Sequence, residues 1–425
     1  MIIGKYSSDL SRFKAVFFIH FLLILNLHSV LADDVEIHDG RSSAFKKGSE
    51  IIERAKSGDV LWVGTYIFQN DRVGDHRIGE LIDAAKRGVD VRLIVDWSGN
   101  ELPQSKLTYL VENGVKVKFY NPLRFVNPIQ LNHRMHSKFI VLNNETLIGD
   151  RNIGAEYSNF VRNSKTGREI YIKGKSVGSL QVMANEIWDD PVSIDINSRP
   201  IRDVERSKIR SEIAVGRKDF PDTPGSPASR FSTDNISFVY DKPSARGSGR
   251  GVSSELFSMI AEADEAITIV SPYLVLTDEL ESTLKLLKEN RPNVKIRFIT
   301  NSLRSTDVRL TSLAHHGDRH RLAKLGVDVY ETLFQLHEKT VIVDQNIVFN
   351  GSYNFDSRSQ NINVEMGTII RSAELGKAAE ESVNRRLKRS VRTVAEGRVV
   401  ARVKRCFLEV LGRTVTKFSA IRNQL

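Results

Sequence analysis

The chain holds one cysteine, Cys406, in 425 residues. An intrachain disulfide is therefore excluded, and thiol content carries no signal for or against an oxidising compartment. Spacings of the zinc-site type are also missing. His315, His316 and His320 crowd one segment, but they fit a polar helix start near a cleft better than a ligand set. No metal and no cofactor is expected. Long apolar runs are scarce. The N-terminal run is AVFFIHFLLILNLHSVLA, residues 15–32, just short of a full span and interrupted by His20, Asn26 and His28. Lys5, Arg12 and Lys14 precede it, and Val30-Leu31-Ala32 offers a small-residue cleavage site before Asp33. Residues 1–32 thus read as a signal peptide, with a membrane anchor over 15–31 as the alternative. Either reading makes the protein exported, periplasmic or secreted.

The body has no excess of either charge. The chain carries a net +10, yet residues 33–380 hold 47 Lys/Arg against 48 Asp/Glu. The excess sits in residues 381–425, with 12 Lys/Arg and 3 Asp/Glu. A body-wide basic groove of the kind that binds nucleic acid gets no support from these totals. In the tail, Leu387, Val391, Val394, Val400, Val403, Phe407 and Val410 recur at three- and four-residue steps among arginines and lysines. That pattern predicts a basic amphipathic helix interrupted near Gly397, lying on an anionic membrane surface or packed on the domain.

What the sequence does contain is a repeat. HSKFIVLNNETLIGDRN, residues 136–152, is matched by HEKTVIVDQNIVFNGSYN, residues 337–354. Phe139 to Leu142 and Thr340 to Val343 read as buried strands, on which residues i and i+2 share a face. His136 then projects with Lys138, and His337 with Lys339. Each strand pair ends in a glycine turn closing on Asn152 or Asn354, whose amides can donate to a phosphate oxygen. Two imidazoles, two ammonium groups and two amides at one pole suit phosphoryl transfer, where positioning and charge stabilisation dominate. One histidine would attack phosphorus and the other would protonate the leaving oxygen, then activate the second acceptor. The alternative, that both histidines are ordinary strand residues, would suit a single copy better than two matched ones.

These residues resemble the phospholipase D superfamily, whose signature is His-x-Lys-x4-Asp followed by a glycine turn ending in asparagine. The second copy matches in full with His337, Lys339, Asp344, Gly351, Ser352 and Asn354. The first departs at Asn143, where the family has aspartate, and at Asp150, where serine is usual. GDRNIGAEY, residues 149–157, and NVEMG, residues 363–367, are similar to the bacterial cardiolipin synthase branch. The resemblance implies that the motif aspartate is mainly a structural support. It also implies cross-pairing of carboxylates with the histidines, Glu365 serving His136 and Glu169 serving His337. By the same resemblance, His136 is the nucleophile and His337 the acid/base. The implied activity is cleavage of a phospholipid phosphodiester, by hydrolysis or phosphatidyl transfer. An exported nuclease of the same superfamily is the alternative, which makes nucleic acid a second candidate partner; a degenerate binding protein ranks behind both.

The duplication extends past the motifs. DVLWVGTYIF (59–68) parallels AITIVSPYLV (266–275), and VDVRLIVDWSGN (89–100) parallels PNVKIRFITNSL (292–303). Each half runs strand, helix, strand, helix, strand, motif strand, with helices expected over 76–87, 104–113, 277–289 and 318–325. The expected fold class is α/β: a duplicated phospholipase D-like fold of two mixed-sheet halves, related by a pseudo-twofold and sharing one active site. The halves are placed at 33–216 and 252–380, with a Pro/Gly-rich connector over 217–251 and the basic tail over 381–425. Within the connector, ISFVYD (236–241) is expected to open the second half as a strand.

Overall fold

The apolar β-branched runs form strands and the amphipathic stretches between them form helices. A computed structural model describes residues 32–39, 42–122, 132–158, 161, 164–218, 228–243 and 251–393. The N-terminal apolar segment, residues 219–227 and 244–250 of the Pro/Gly-rich connector and the tail beyond Thr393 lie outside the described residues.

The first half begins with β1 (Asp33–His38), α1 (Ser43–Arg54), β2 (Val60–Thr65), α2 (Arg72–Lys86) and β3 (Asp90–Asp96). It continues with α3 (Gln104–Glu112), β4 (Lys116–Tyr120) and the motif hairpin β5 (Phe139–Leu142) and β6 (Glu145–Gly149). A short α4 (Ala155–Ser158), β7 (Glu169–Lys173), α5 (Gly178–Asp189), β8 (Ser193–Asp195), α6 (Asp203–Lys218) and β9 (Ser229–Thr233) complete it. The second half opens with β10 (Ile236–Tyr240), α7 (Gly251–Ala261), β11 (Ala266–Val270), α8 (Asp278–Asn290) and β12 (Lys295–Asn301). Then come α9 (Arg309–Lys324), β13 (Val327–Thr332), the second motif hairpin β14 (Thr340–Val343) and β15 (Ile347–Gly351), and α10 (Ser357–Asn361). It ends with β16 (Met366–Arg371), α11 (Ala373–Leu387) and β17 (Ser390–Arg392).

The strands make two mixed sheets, as the α/β reading expects. The order β4-β3-β2-β5-β6-β7 in the first repeats as β13-β12-β11-β14-β15-β16 in the second. β2, β3 and β4 run parallel, as do β11, β12 and β13, while each motif hairpin is antiparallel. Parallel strands joined by helices are covered on both faces, so VLWVGT and AITIV are apolar nearly throughout. The inner faces share one core: Trp62, Phe139, Val141 and Ile170 from one half cluster with Ile299, Ile342, Val348 and Ile370 from the other. Each sheet also has its own core beneath the outer helices, one around Leu81, Leu93 and Leu110, the other around Leu284, Phe298 and Val329. Burial of both inner faces therefore fixes the halves against each other.

Several expectations need correction. Within the connector, ISFVYD forms β10 as expected and pairs with β16, but a second strand not foreseen, β9, pairs with β1 in the first sheet. α6 extends into the connector and packs on α2. The helix expected over 318–325 begins nine residues earlier, at Arg309. The tail does not start as a continuous amphipathic helix. α11 stops at Leu387, and the chain turns into β17, which pairs with β13 and leaves Val391 exposed. Among the described residues, no helix is long and apolar enough to cross a membrane.

Candidate active site

Each motif histidine sits just ahead of its strand, at the seam between the halves, and is held there by the other half. His136 N donates to Val364 O at 3.0 Å, and Val364 N donates to Arg134 O at 2.8 Å. On the second copy, His337 N donates to Thr166 O at 2.7 Å, and Thr166 N donates to Gln335 O at 3.0 Å. Two short parallel bridges, Met135 with Val364 and Thr166 with Leu336, thus bring the motifs together. The intervening residues add to the seam. Ser137 Oγ donates to Val364 O at 3.1 Å, and Glu338 is buried in ion pairs with Arg168 and Arg386, both of which also pair with Asp39.

His136 is held firmly. Its Nδ1 lies 2.9 Å and 3.1 Å from the two oxygens of Glu365, a wholly buried carboxylate. Ser359 Oγ and Asn363 Nδ2 donate to Glu365 Oε1 at 2.7 Å and 3.0 Å, and Ser352 Oγ donates to Oε2. Burial pushes the Glu365 carboxyl up, but His136, Lys138 and Ser352 outweigh it and hold the group at about 2. Burial drives the His136 imidazolium down, Glu365 opposes this and Lys138 adds to it, leaving about 4. The free pair is therefore a neutral imidazole on a carboxylate, which fixes Nδ1–H toward Glu365 and leaves the Nε2 lone pair for the cleft.

His337 is held differently. Its Nδ1 faces Asp150 Oδ1 at 3.4 Å. Lys339 Nζ lies 3.1 Å from Nδ1 and 3.3 Å from Nε2, and donates to the His337 carbonyl at 2.7 Å. A position nearly equidistant from both ring nitrogens is not on the in-plane line of either lone pair. Lys339 therefore leaves the in-plane side of Nδ1 to Asp150. Burial, Lys339 and Lys165 push the His337 imidazolium well below its usual range. Burial pushes Asp150 up against the pull of Lys339 and Arg151.

The two motif lysines are buried beside their histidines. Lys138 Nζ donates to the His136 carbonyl and lies 5.6 Å from the centre of the Tyr66 ring. Burial and then Lys339 drive Lys138 well down; burial brings Lys339 to about 8 against the pull of Asp150 and Glu365. Buried lysines whose charge is disfavoured in this way would be stabilised by an incoming anion. Both histidines line one cleft of about 340 Å³, together with Asn152, Asn354, Tyr157 and Tyr273. Tyr66 packs edge-on against His136 with ring centres 5.2 Å apart, and Tyr157 against His337 at 5.1 Å. Asn152 Oδ1 accepts from Ile67 N at 3.0 Å, which turns its amide nitrogen toward the cleft. Asn354 Oδ1 is buried without a hydrogen-bond partner.

Seven of the nine sequence-derived candidates meet here: His136, Lys138, Asn152, His337, Lys339, Asn354 and Glu365. Two do not. Asp344 lies at the far end of β14, where its carboxylate accepts from the backbone N–H groups of Asp264, Glu265 and Ala266 at 2.8, 2.8 and 2.7 Å. It is a turn clamp, and the departure at Asn143 is equally remote: Asn143 Nδ2 donates to Asp59 at 3.1 Å. Glu169 does not serve His337. It pairs in register with Gly149 and lines a small cavity behind Lys138 and Asn152, with Arg77 and Arg151, where burial lifts its carboxyl to about 7. The carboxylate facing His337 is Asp150, the residue read only as a departure. The histidines of α9 are not a polar helix start: His315 and His316 are buried in its middle. Three tyrosines also went unread. Tyr66 and Tyr273 occupy matching places in the GTYIF and SPYLV repeats, so the repeat itself carried that signal.

Comparison with known proteins agrees with this geometry. The family described as cardiolipin synthase, PLD-like domain, matches residues 49–186 and 256–387, one His-x-Lys pair in each match. The chain is 29% identical over 379 residues to cardiolipin synthase C of Escherichia coli K12, covering 76% of this chain and 78% of that protein. It is 27% identical over 372 residues to the major cardiolipin synthase of Bacillus subtilis 168, covering 84% and 70%. The structure of phosphatidylserine synthase from Haemophilus influenzae superposes with a TM-score of 0.67 at 16% identity, covering 92% of this chain and 94% of that one, a likeness of fold. With both halves matched and both motif pairs assembled in one cleft, the chain belongs to the cardiolipin synthase branch of the phospholipase D-like family.

Proposed function

We propose that this protein is a phosphatidyltransferase or phosphodiesterase that acts on phospholipids through a phosphohistidine intermediate. The observation that carries the reading is one cleft lined by two histidines from different halves, each with a buried lysine two residues on. His136 Nε2 attacks phosphorus while Glu365 takes up the charge developing on the ring through Nδ1–H. His337 gives a proton to the departing alkoxide. In the second step, His337 accepts a proton from water or a lipid alcohol, whose oxygen attacks phosphorus as the P–N bond breaks. The phosphodiester anion favours the protonated state of His337 that the first step needs, countering the buried lysines. Relatives named as cardiolipin synthases support transfer to a lipid alcohol over hydrolysis. The N-terminal apolar segment supports an exported enzyme, and the basic tail supports work at an anionic membrane surface.

The test is to incubate the purified protein with phosphatidylglycerol vesicles and, separately, with single-stranded DNA, and to resolve products by mass. Cardiolipin or phosphatidic acid is expected, and His136→Ala and His337→Ala should each lower the rate by about 10³-fold or more. Shortened DNA with untouched lipid would identify a nuclease on the same scaffold and refute the proposal.

A further inference from the structure

The two halves support their histidines with the same parts in a different arrangement. The bridges align Val364 with Thr166, because each is the residue that meets the position just before a motif histidine. The next residue in each half is then Glu365 or Gly167. The hairpin register agrees, pairing Gly351 with Gly367 and Gly149 with Glu169, so Glu169 corresponds to Gly367 and lies two places past the position of Glu365. In the turns, Ser352 corresponds to Asp150. The second half thus uses a hydroxyl at the turn and a carboxylate on the following strand segment. The first half uses a carboxylate at the turn and nothing at 167.

Space explains why the two changes belong together. A Cβ on Gly167 would lie 2.2 Å from Asp150 Oδ1 and 3.0 Å from Arg151 Nε. The Asp150 carboxylate fills the volume that a side chain at 167 would need. It is wholly buried, its Oδ2 accepts from Arg168 N at 2.7 Å, and its Oδ1 faces His337. In the other half, Ser352 Oγ reaches across to the Glu365 carboxylate that faces His136.

We propose that the carboxylate serving His337 has moved between neighbouring positions, so that Asp150 with Gly167 does for His337 what Ser352 with Glu365 does for His136. Asp150 is then a positioning residue, and its long 3.4 Å contact leaves His337 the looser of the two imidazoles. The inference rests on the proposed function for its rate readout but not for its titration readout. The charged groups acting on His337 are Lys339, Lys165 and Lys138, with His136 beyond them and Asp150 opposing. Glu156, Asp307 and Asp356 also line the cleft, the first two paired with Lys165, so removing Asp150 takes away the carboxylate that faces His337 Nδ1 and the imidazolium becomes a stronger acid.

The experiment compares wild type, Asp150→Asn, Asp150→Ser, Gly167→Glu and the double variant Asp150→Ser/Gly167→Glu. Cleavage of a soluble nitrophenyl phosphodiester and NMR titration of the labelled histidines are measured on each. Asp150→Ser and Gly167→Glu are each expected to lower kcat about 100-fold, the second through its clash, and the double variant to recover at least about tenfold over either. Asp150→Asn, which keeps the shape and removes the charge, should lower the His337 pKa by about one unit. An unchanged His337 titration in Asp150→Asn, or near-wild-type kcat in Asp150→Ser, overturns the proposal. So does a folded double variant no better than the singles. If wild type cleaves no phosphodiester, the proposed function fails, while the titration still decides the role of Asp150.

Discussion

At the residue scale, the site is defined by charges that burial makes expensive. His136 loses its proton near pH 4 and Lys339 loses its charge near pH 8, both pushed down chiefly by burial. Below the first value the nucleophile is protonated; above the second, the Lys339 charge that awaits the phosphate is gone. Because His337 takes up its proton only with the phosphodiester anion, kcat/KM should fall below about 4 as His136 is protonated and decline more steeply above about 8 as Lys339 loses its charge. Lys339→Arg keeps a charge that does not titrate in this range. The alkaline limb should move up in that variant even though the maximum is lower, and a limb fixed near 8 would assign it to another group. The residues behind this behaviour were legible as types and spacings: two His-x-Lys pairs, two turn asparagines and Glu365. Asp150 was not. Counting along the chain from each histidine favours Glu169, and only the pairing of Gly149 with Glu169 shows that this position matches Gly367.

At the element scale, the work of the motif is divided between the two ends of one strand. The histidine end faces the cleft; the other end is a tight turn, where Asp344 has φ +51° and Asn143 has φ +49°. Both residue types tolerate the left-handed region, which is why the first half keeps its turn without the aspartate. Asp344 additionally clamps three backbone N–H groups. Asp344→Ala should therefore cost about 1–3 kcal/mol of stability by urea unfolding while kcat per folded molecule holds. A loss of kcat at full stability would return Asp344 to the chemistry. The glycines at the cleft end have a different task. A Cβ on Gly351 would meet Met366 O at 2.2 Å, so the turn residue must be bare for the neighbouring strand to approach. The alternating strand–helix order was readable from periodicity. The start of α9 was not, since RLTSLAHHGDRHRLAK buries His315, His316, Asp318 and Arg319 and so shows no clean apolar stripe. The edge strands β8, β9 and β17 are three to five residues long, too short to show alternation.

At the scale of the whole molecule, neither half is complete. His136 takes its backbone partner and its carboxylate from the second half; His337 takes both of its own from the first. The shared inter-sheet core and the Arg168–Glu338–Arg386 ion pairs hold this arrangement. α11 belongs to that assembly, because Leu375, Ala379 and Val383 are buried in the shared core. A test of the tail must therefore cut after Thr393 and leave α11 in place. That truncation should weaken binding to anionic vesicles and flatten its salt dependence. Unchanged binding would remove the tail from the membrane reading.

The central claim is that the two halves divide one reaction, His136 bonding to phosphorus and His337 moving the protons. The most direct measurement offers His337→Ala a phosphodiester with a nitrophenol leaving group, which departs without an acid. The reaction is quenched in alkali, where phosphohistidine persists, and the protein is mapped by mass. The account predicts a phosphoryl adduct on His136 that accumulates in His337→Ala and is absent from His136→Ala. An adduct on His337, or turnover by His136→Ala, would contradict it.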